Sequence, residues 1–395
     1  MEFRIEKDSL GEVKVPADVY YGVQTQRAVD NFQISGRTLP PEMVWACATI
    51  KKAAAIVHAD LGLLDKKLSS AICSAADRII AGELADNFVV DIYQAGAGTS
   101  FHMNVNEVIA NLAIEALGGK KGDYKLISPN DQVNMAQSTN DVVPTSIRLA
   151  CLKVSVELID SVNELSRAFA AKSQEFADVI TTGRTHLQDA VPITVGQEFG
   201  GWAHTTRKLR RRLSSAFNRA GVLGLGGSAA GSGLNCHPEY QSRVVGVLRQ
   251  LTGFDLSADP NLFAAMSSMD VFVDIAGRMK MAALELLRIS NDLRLLASGP
   301  TSGIWEILLP ALQPGSSIMP GKVNPVIPEM TAMCCFQVIG NEVCVNYAAQ
   351  AGQLQLNVMM PVIAYNLVES ARLLTNAASH LDKKLSSAIC SAADR

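Results

Sequence analysis

The chain has 395 residues, is 48% hydrophobic and 18% charged, and carries a formal net charge of −3. That length provides for two or three domains with sizeable cores, and the charge balance excludes the global basic field that nucleic acid or an anionic membrane surface would require. A charged fraction below the roughly 25% usual for soluble domains implies an oligomer that buries apolar surface between subunits.

The opening, MEFRIEKDSLGEVKVP, places charges where a signal peptide needs an apolar core and is too acidic for a transit peptide, which reads as cytoplasmic. Residues 1–140 mix short helical patterns with loops rich in Gly, Asn and Asp, such as QAGAGTSFHMNVNE and SPNDQVNMAQSTND. From about Val143 to Ala177, Pro192 to Ala220, Ala264 to Ala297 and Pro325 to Leu381, apolar residues recur at three and four positions, predicting long helices. Between Met269 and Ser298 they fall on more than one face, so this helix is predicted to be central in a bundle. Val343 to Val368 contains no formal charge, but Asn346, Gln350, Gln353, Gln355, Asn357 and Asn366 make it a buried helix rather than a membrane span. Little reads as strand, so the fold class is mainly α.

GLGGSAAGSGLN, from Gly224 to Asn235, matches neither a Walker motif nor a dinucleotide fingerprint and reads as a tight connection between helices. The eight cysteines include no CxxC pair and no His at ligand spacing, which predicts free thiols and no metal site. One segment, LDKKLSSAICSAADR, occupies 64–78 and recurs verbatim at 381–395. A single verbatim copy is not a periodic structural repeat, and its amphipathic pattern fits a continuation of the preceding helix. The domain reading is a mixed helical domain at 1–140, a long-helix bundle at 141–380, and the copy at 381–395.

Polar chemistry concentrates in three segments. PGSSIMPGKVNP offers Ser316 and Ser317 between glycines, then Lys322 as a cation and Asn324 as a donor, in a loop able to swing or to let backbone approach a ligand. In NMAQSTNDVVP, Ser138, Thr139, Asn140 and Asp141 precede a long helix with Pro144 in its first turn. Anion binding at a helix start and simple capping both explain such residues. In GRTHLQDAVPITVGQE, Thr185 and His186 lie just ahead of another helix, whose Thr194 and Gln197 are spaced as a capping box. Taken singly, each segment also fits an ordinary polar loop or cap.

Together they resemble the aspartase/fumarase superfamily. GSSIMPGKVNP looks like its signature, and AGAGTSFHMNVNEV, QSTNDVVPT, GRTHLQDAVP and EILLPALQPGSS match its other blocks in the same order, from about Arg4 to His380. The resemblance implies a mainly α fold whose long central helices form the core of a homotetramer, with active-site loops contributed by three subunits. THLQDA, where class II fumarases read THTQDA, favours the aspartase branch through Leu187, and AGQLQLNVMMPV and QSTND point the same way. The implied reaction is β-elimination of ammonia from L-aspartate to fumarate without metal or organic cofactor. Hydration of fumarate and a non-catalytic truncated paralogue stay open as alternatives.

By position, the resemblance makes Ser316 the general base at C3. Thr99, Ser138, Thr139 and Ser317 match residues that bind the β-carboxylate as charge builds there. Thr185, Lys322 and Asn324 match those that hold the α-carboxylate, and Asn140 and His186 those near the amino group. Glu329 matches the acid that pairs with the active-site histidine. Two departures stand out: His102 occupies a position where many relatives have Asn and reads as filling the same space, and the repeated fifteen residues read as standing where the family usually has a small C-terminal helical domain.

Overall fold

The computed structural model describes residues 2–385 and 389–391. In chain order the elements are β1 (Phe3–Asp8), β2 (Gly11–Pro16), α1 (Val23–Asn31), α2 (Pro41–Asp60), α3 (Lys66–Ile80), α4 (Thr99–Ala116) and α5 (Thr139–Glu175). They continue as β3 (Ile180–Thr185), β4 (Gln188–Thr194), α6 (Val195–Asn218), β5 (Val222–Leu223), α7 (Tyr240–Thr252), β6 (Ser257–Ala258), α8 (Leu262–Ser267) and α9 (Asp270–Leu296). Last come β7 (Ile307–Leu308), α10 (Val326–Gln350), α11 (Met360–His380) and β8 (Cys390–Ser391). The fold is mainly α, as expected, and among the described residues the strands pair only two by two. Among the described residues no helix is long and apolar enough to cross a membrane.

Two compact units interleave along the chain: Met1–Lys153, Phe217–Val273 and Cys344–Val368 form one, and Val154–Ala216, Asp274–Val343 and Glu369–Arg395 the other. These units interleave where the expected domains 1–140, 141–380 and 381–395 are consecutive, and α5, α6, α9, α10 and α11 each run through a unit boundary.

In the first unit α2 and α4 are buried almost all round, with Ile50, Ala53, Val105 and Ile109 fully inaccessible. Small side chains on α2 (Ala46, Ala48, Ala53, Ala54) let neighbouring helices approach closely. At α1 the N-cap is Gly22, which has no side chain to cap with. Glu107 of α4 does this instead, accepting the backbone N–H groups of Gly22, Gln24 and Thr25 and the Thr25 hydroxyl at 2.6–3.0 Å. A Cβ on Gly22 would stand 2.2 Å from the Tyr124 hydroxyl, so the position accepts only glycine.

The second unit is centred on an aromatic cluster. Phe199 meets Trp202 edge to face at 4.8 Å, and Phe169 and Phe176 pack edge on against the same ring at 6.1 and 5.7 Å. Here α6 starts as expected: Thr194 Oγ1 accepts the Gln197 N–H while Gln197 Oε1 accepts the Thr194 N–H.

The structure corrects several expectations. Residues 180–194 form an antiparallel hairpin, so Thr185 and His186 are not ahead of a helix but at a hairpin tip, and Pro192 lies in β4 instead of starting α6. The β-branched residues Ile180, Thr181, Thr182, Val191, Ile193 and Thr194 favour strand over helix, and a two-stranded sheet consists of edge strands, which is where a proline such as Pro192 is tolerated. Pro144 sits in the second turn of α5 rather than the first. The helix expected from Ala264 breaks at 268–269, and that expected from Pro325 to Leu381 breaks at 351–359, where Asn357 Nδ2 closes the turn on the Ala348 and Ala349 carbonyls.

The repeated segment adopts two structures. Its first copy is α3, capped by Asp65 accepting the Lys67 and Leu68 N–H groups. The second continues α11 only as a π-helical turn over Leu381–Leu385, and its Cys390–Ser391 pairs with Ile307–Leu308. Asp382 lies inside that helical run, so it cannot act as the stop and start signal that Asp65 supplies. Residues 386–388 and 392–395 of the copy lie outside the described residues.

His58 on α2 stacks on Tyr240 at 4.7 Å with both ring nitrogens buried and unpartnered. Burial, helped by the Lys51 charge, lowers its pKa to about 4. A histidine depressed in the folded state contributes stability above its unfolded pKa near 6.5, and that stability is lost as pH falls from there toward about 4, at roughly 1.4 kcal/mol per pH unit. Replacing His58 by Phe, which preserves the stack, should raise the denaturant midpoint at pH 7 and flatten its fall between pH 6.5 and 4. Parallel curves for the two proteins, measured at equal concentration, would show that His58 is not the group responsible.

Candidate active site

In the first unit the site residues cluster where α5 and α4 begin. Ser138 caps α5: its hydroxyl accepts the Asn140 N–H at 3.2 Å while its own N–H donates to Asp141 Oδ1 at 2.9 Å, a capping box with Asp at the third position. The other oxygen of Asp141 accepts the N–H groups of Gly226 and Ser228 at 3.0 and 3.1 Å, and Asn140 Nδ2 donates to the Ala229 carbonyl at 2.7 Å. The glycine-rich connection at 224–235 is thereby tied to the helix start, with Gly226 and Gly231 at φ of 97° and 101°. Burial pushes the Asp141 carboxyl up to about 6, against the pull of its three N–H donors and the Lys51 charge.

Thr99 is the exposed first residue of α4, held after Gly98 at φ 85°. One turn on, His102 Nδ1 lies 2.9 Å from Thr139 Oγ1, and its Nε2 lies 2.6 Å from the buried Lys51 Nζ. Lys51 also donates to Asn134 Oδ1 at 2.7 Å and Gln137 Oε1 at 2.9 Å. Thr139, Ser138 and Asn140 are half-buried, and Lys51 and His102 are wholly inside.

In the second unit Thr185 ends β3 and pairs with Gln188, leaving His186 and Leu187 as a two-residue turn with φ of 56° and 60°. Both central residues of such a turn need positive φ, which Asn and Gly adopt readily and Leu does not. Strain of this kind gathers at functional positions. Arg184, at a bulge just before the tip, forms an ion pair with Glu306, which precedes β7.

The segment from Gly315 to Asn324 is a closed loop. Gly315 N–H donates to the Lys322 carbonyl at 2.7 Å, and Asn324 Nδ2 donates to the Gly315 carbonyl at 2.7 Å. Inside it, the Ser316 hydroxyl oxygen accepts the Ile318 and Met319 N–H groups at 3.2 and 2.9 Å. Ser317 and Lys322 are exposed. Lys322, Asn324 and Glu329 share a cleft of about 500 Å³ with Asn291, Arg294 and Ser298, which gives it two cations suited to a carboxylate. His186 and Glu329 make no bond with each other.

Sequence reasoning missed Asp141, Lys51, Arg184 and Glu306 as supports. The Ser138 to Asp141 spacing was a readable signal for the first. Arg184 and Glu306 stood inside the matched blocks but with no hint that they pair, and nothing in the run KKAAA separates the buried Lys51 from its neighbour Lys52.

Comparison with known proteins shows the family of the chain. The family model described as Lyase matches residues 11–340. An aspartate ammonia-lyase from Pseudomonas aeruginosa is 52% identical over 380 residues, covering 95% of this chain and 80% of that protein. One from Bacillus sp. is 47% identical over 375 residues with the same coverage. Among solved structures, a cobalt-bound fumarate lyase:delta crystallin from Brucella melitensis superposes with a TM-score of 0.96 at 49% identity, over 99% of this chain and 85% of that one. A class II fumarase from Schistosoma mansoni gives 0.95 at 37% identity, with the same coverage.

The loop's closure rests on Gly315, because a Cβ there would lie 2.7 Å from the Asn324 side chain and 2.8 Å from its backbone nitrogen. Gly315→Ala should open the loop without unfolding the protein. Protease cleavage within 315–324 is expected to accelerate about tenfold or more while Tm changes by no more than about 2 °C, as for a local opening. Unchanged cleavage would mean the close approach is not what holds the loop.

Proposed function

Because the chain belongs to the Lyase family, we propose that it eliminates ammonia from L-aspartate to give fumarate, with Ser316 as the base. Relatives that are 47–52% identical over 95% of the chain carry the name aspartate ammonia-lyase. The observation that carries the mechanism is at Ser316, whose oxygen accepts two backbone N–H groups. Those donors favour the alkoxide that a serine must become before it can take a proton from carbon.

The C3 proton passes to Ser316 Oγ, and the electron pair it leaves delocalises onto the β-carboxylate as an enediolate. Collapse of the enediolate forms the C2–C3 double bond, and the C2–N bond breaks with its electron pair leaving on ammonia. Thr99, Ser138, Thr139 and Ser317 hold the β-carboxylate, where binding must be tightest in the transition state. Thr185, Lys322 and Asn324 hold the α-carboxylate. Asn140 and His186 face the amino group, and Glu329 sets the orientation of His186. We assign that pairing to the assembled oligomer, since the two side chains make no bond within one chain. No step requires a metal or organic cofactor.

The working form is a cytoplasmic homotetramer with sites composed by several subunits. An exposed apolar stripe on α10 supports the assembly: Met333, Phe336, Val343 and Tyr347 are 47–73% exposed at the spacing of one helix face. Hydration of fumarate is the second reading, favoured by the likeness of the fold to a class II fumarase but opposed by Leu187 at the hairpin tip, which is 68% exposed and replaces the hydroxyl-bearing Thr of THTQDA.

Purified tetramer given L-aspartate should release fumarate and ammonia in equal amounts and turn over L-malate far more slowly. Ser316→Ala should lower kcat about a thousandfold or more with the tetramer intact. Faster dehydration of malate would overturn the substrate, and retained turnover in the variant would remove Ser316 as the base.

A further inference from the structure

Lys51 is a cation with no access to solvent, and its three protons are all accounted for. The amide group of Asn134 is oriented by its Nδ2 donating to the Gln137 carbonyl at 3.1 Å. That of Gln137 is oriented by Nε2 donating to the Val133 and Met135 carbonyls, each at 3.2 Å. Both side-chain oxygens therefore face Lys51 as acceptors, at 2.7 and 2.9 Å. The third ammonium proton goes to His102 Nε2 at 2.6 Å.

An imidazole nitrogen that accepts leaves the ring proton on the other nitrogen. His102 must then carry its proton on Nδ1, aimed at Thr139 Oγ1, 2.9 Å away. Thr139 Oγ1 is the acceptor of this bond and makes no other side-chain hydrogen bond among the described residues. Its own proton is left for whatever binds at the α5 start. Of the three side chains only Thr139 reaches the surface. Burial lowers Lys51 to about 8, so it remains an ammonium at neutral pH, and burial together with the Lys51 charge holds His102 neutral.

We propose that Lys51 and His102 form a positioning relay that fixes Thr139 as a hydrogen-bond donor and carries part of a buried positive charge to a bound carboxylate. His102 is a positioning residue, not a space filler: it turns an ambivalent hydroxyl into one that presents only its proton to an anion. The identity of that anion as the β-carboxylate of a four-carbon dicarboxylate rests on the proposed function.

The test compares His102→Gln, which keeps an acceptor for Lys51 and a donor for Thr139, with His102→Phe, which keeps volume alone, in assembled protein. Succinate affinity by calorimetry and kcat and KM for L-aspartate are measured for each, for Thr139→Val, and for the Phe/Val double variant. His102→Phe should weaken succinate binding roughly 10- to 100-fold, the range for hydrogen bonds to charged groups, and lower kcat/KM at least as much. His102→Gln should stay within about threefold of the parent. The double variant should be no worse than Thr139→Val, because the relay acts through that hydroxyl.

Losses that multiply in the double variant, equal losses in Gln and Phe, an unaffected Phe variant or a parent that does not bind succinate each overturn the relay. Should the Phe variant fail to assemble, nitrogen NMR of histidine-labelled parent protein decides, with His102→Gln giving the assignment: the Nδ1-protonated tautomer supports the relay, and the Nε2-protonated form ends it. Succinate binding and tautomer need no turnover, so a protein that passes both yet does not consume aspartate sinks the proposed reaction and leaves the relay standing.

Discussion

The Asp141 carboxylate is the interaction on which the first unit's site geometry depends. One oxygen binds the N–H of Ser138 and the other the N–H groups of Gly226 and Ser228, so a single side chain fixes where α5 begins and how the glycine-rich connection lies against it. Burying a carboxylate costs several kcal/mol unless its lone pairs are met, and here three backbone donors and the nearby Lys51 charge meet them. With the helix start fixed, Ser138, Thr139 and Asn140 take defined places in its first turn, and Thr139 comes within reach of His102. A carboxylate directly in a proposed anion site would repel the ligand. Asp141 avoids this because both of its oxygens are turned into the protein and used up.

The long helices were legible because their periodicity is strong and their breakers few, as in α5, α6 and α9. Thr194 and Gln197 were legible as a capping box because that motif is local and its two bonds are made within four residues. The hairpin at 180–194 was not legible. Pro192 ahead of an amphipathic run is a helix-start pattern, and only the pairing of Thr182 with Pro192 and Thr185 with Gln188 shows that the preceding residues are extended. The break at 351–359 was hidden for a related reason: an uncharged stretch looks continuous until Asn357 is seen closing a turn.

The repeated fifteen residues show the limit of local information most directly. One sequence forms α3, where Asp65 caps it and Ala71, Ile72, Ala75 and Ala76 pack inward. The same sequence elsewhere follows directly from a helix, with Asp382 as an interior residue, and places Cys390–Ser391 in a strand pair with Ile307–Leu308. Local propensities are identical in the two copies. The neighbours offered to each copy decide the outcome, as expected where propensity is a weak prior against tertiary packing.

Site residues were legible as a set and not as individuals. Ser138 is a cap as well as a proposed ligand contact, so its composition could never separate the two roles, and the structure assigns it the first without denying the second. Ser316 differs, because its oxygen accepts two N–H groups from a loop and not from the first turn of a helix. The turn it caps is exposed and holds together no packed element. Donors spent on a serine oxygen in such a place do little for stability, but they lower the cost of negative charge on that oxygen. The same argument extends to the hairpin tip, where His186 and Leu187 hold positive φ without glycine and bury nothing in return. A backbone cost with no stabilising return at the hairpin tip, and donors that ease negative charge on Ser316, are what the proposed role of these two loops in binding would account for.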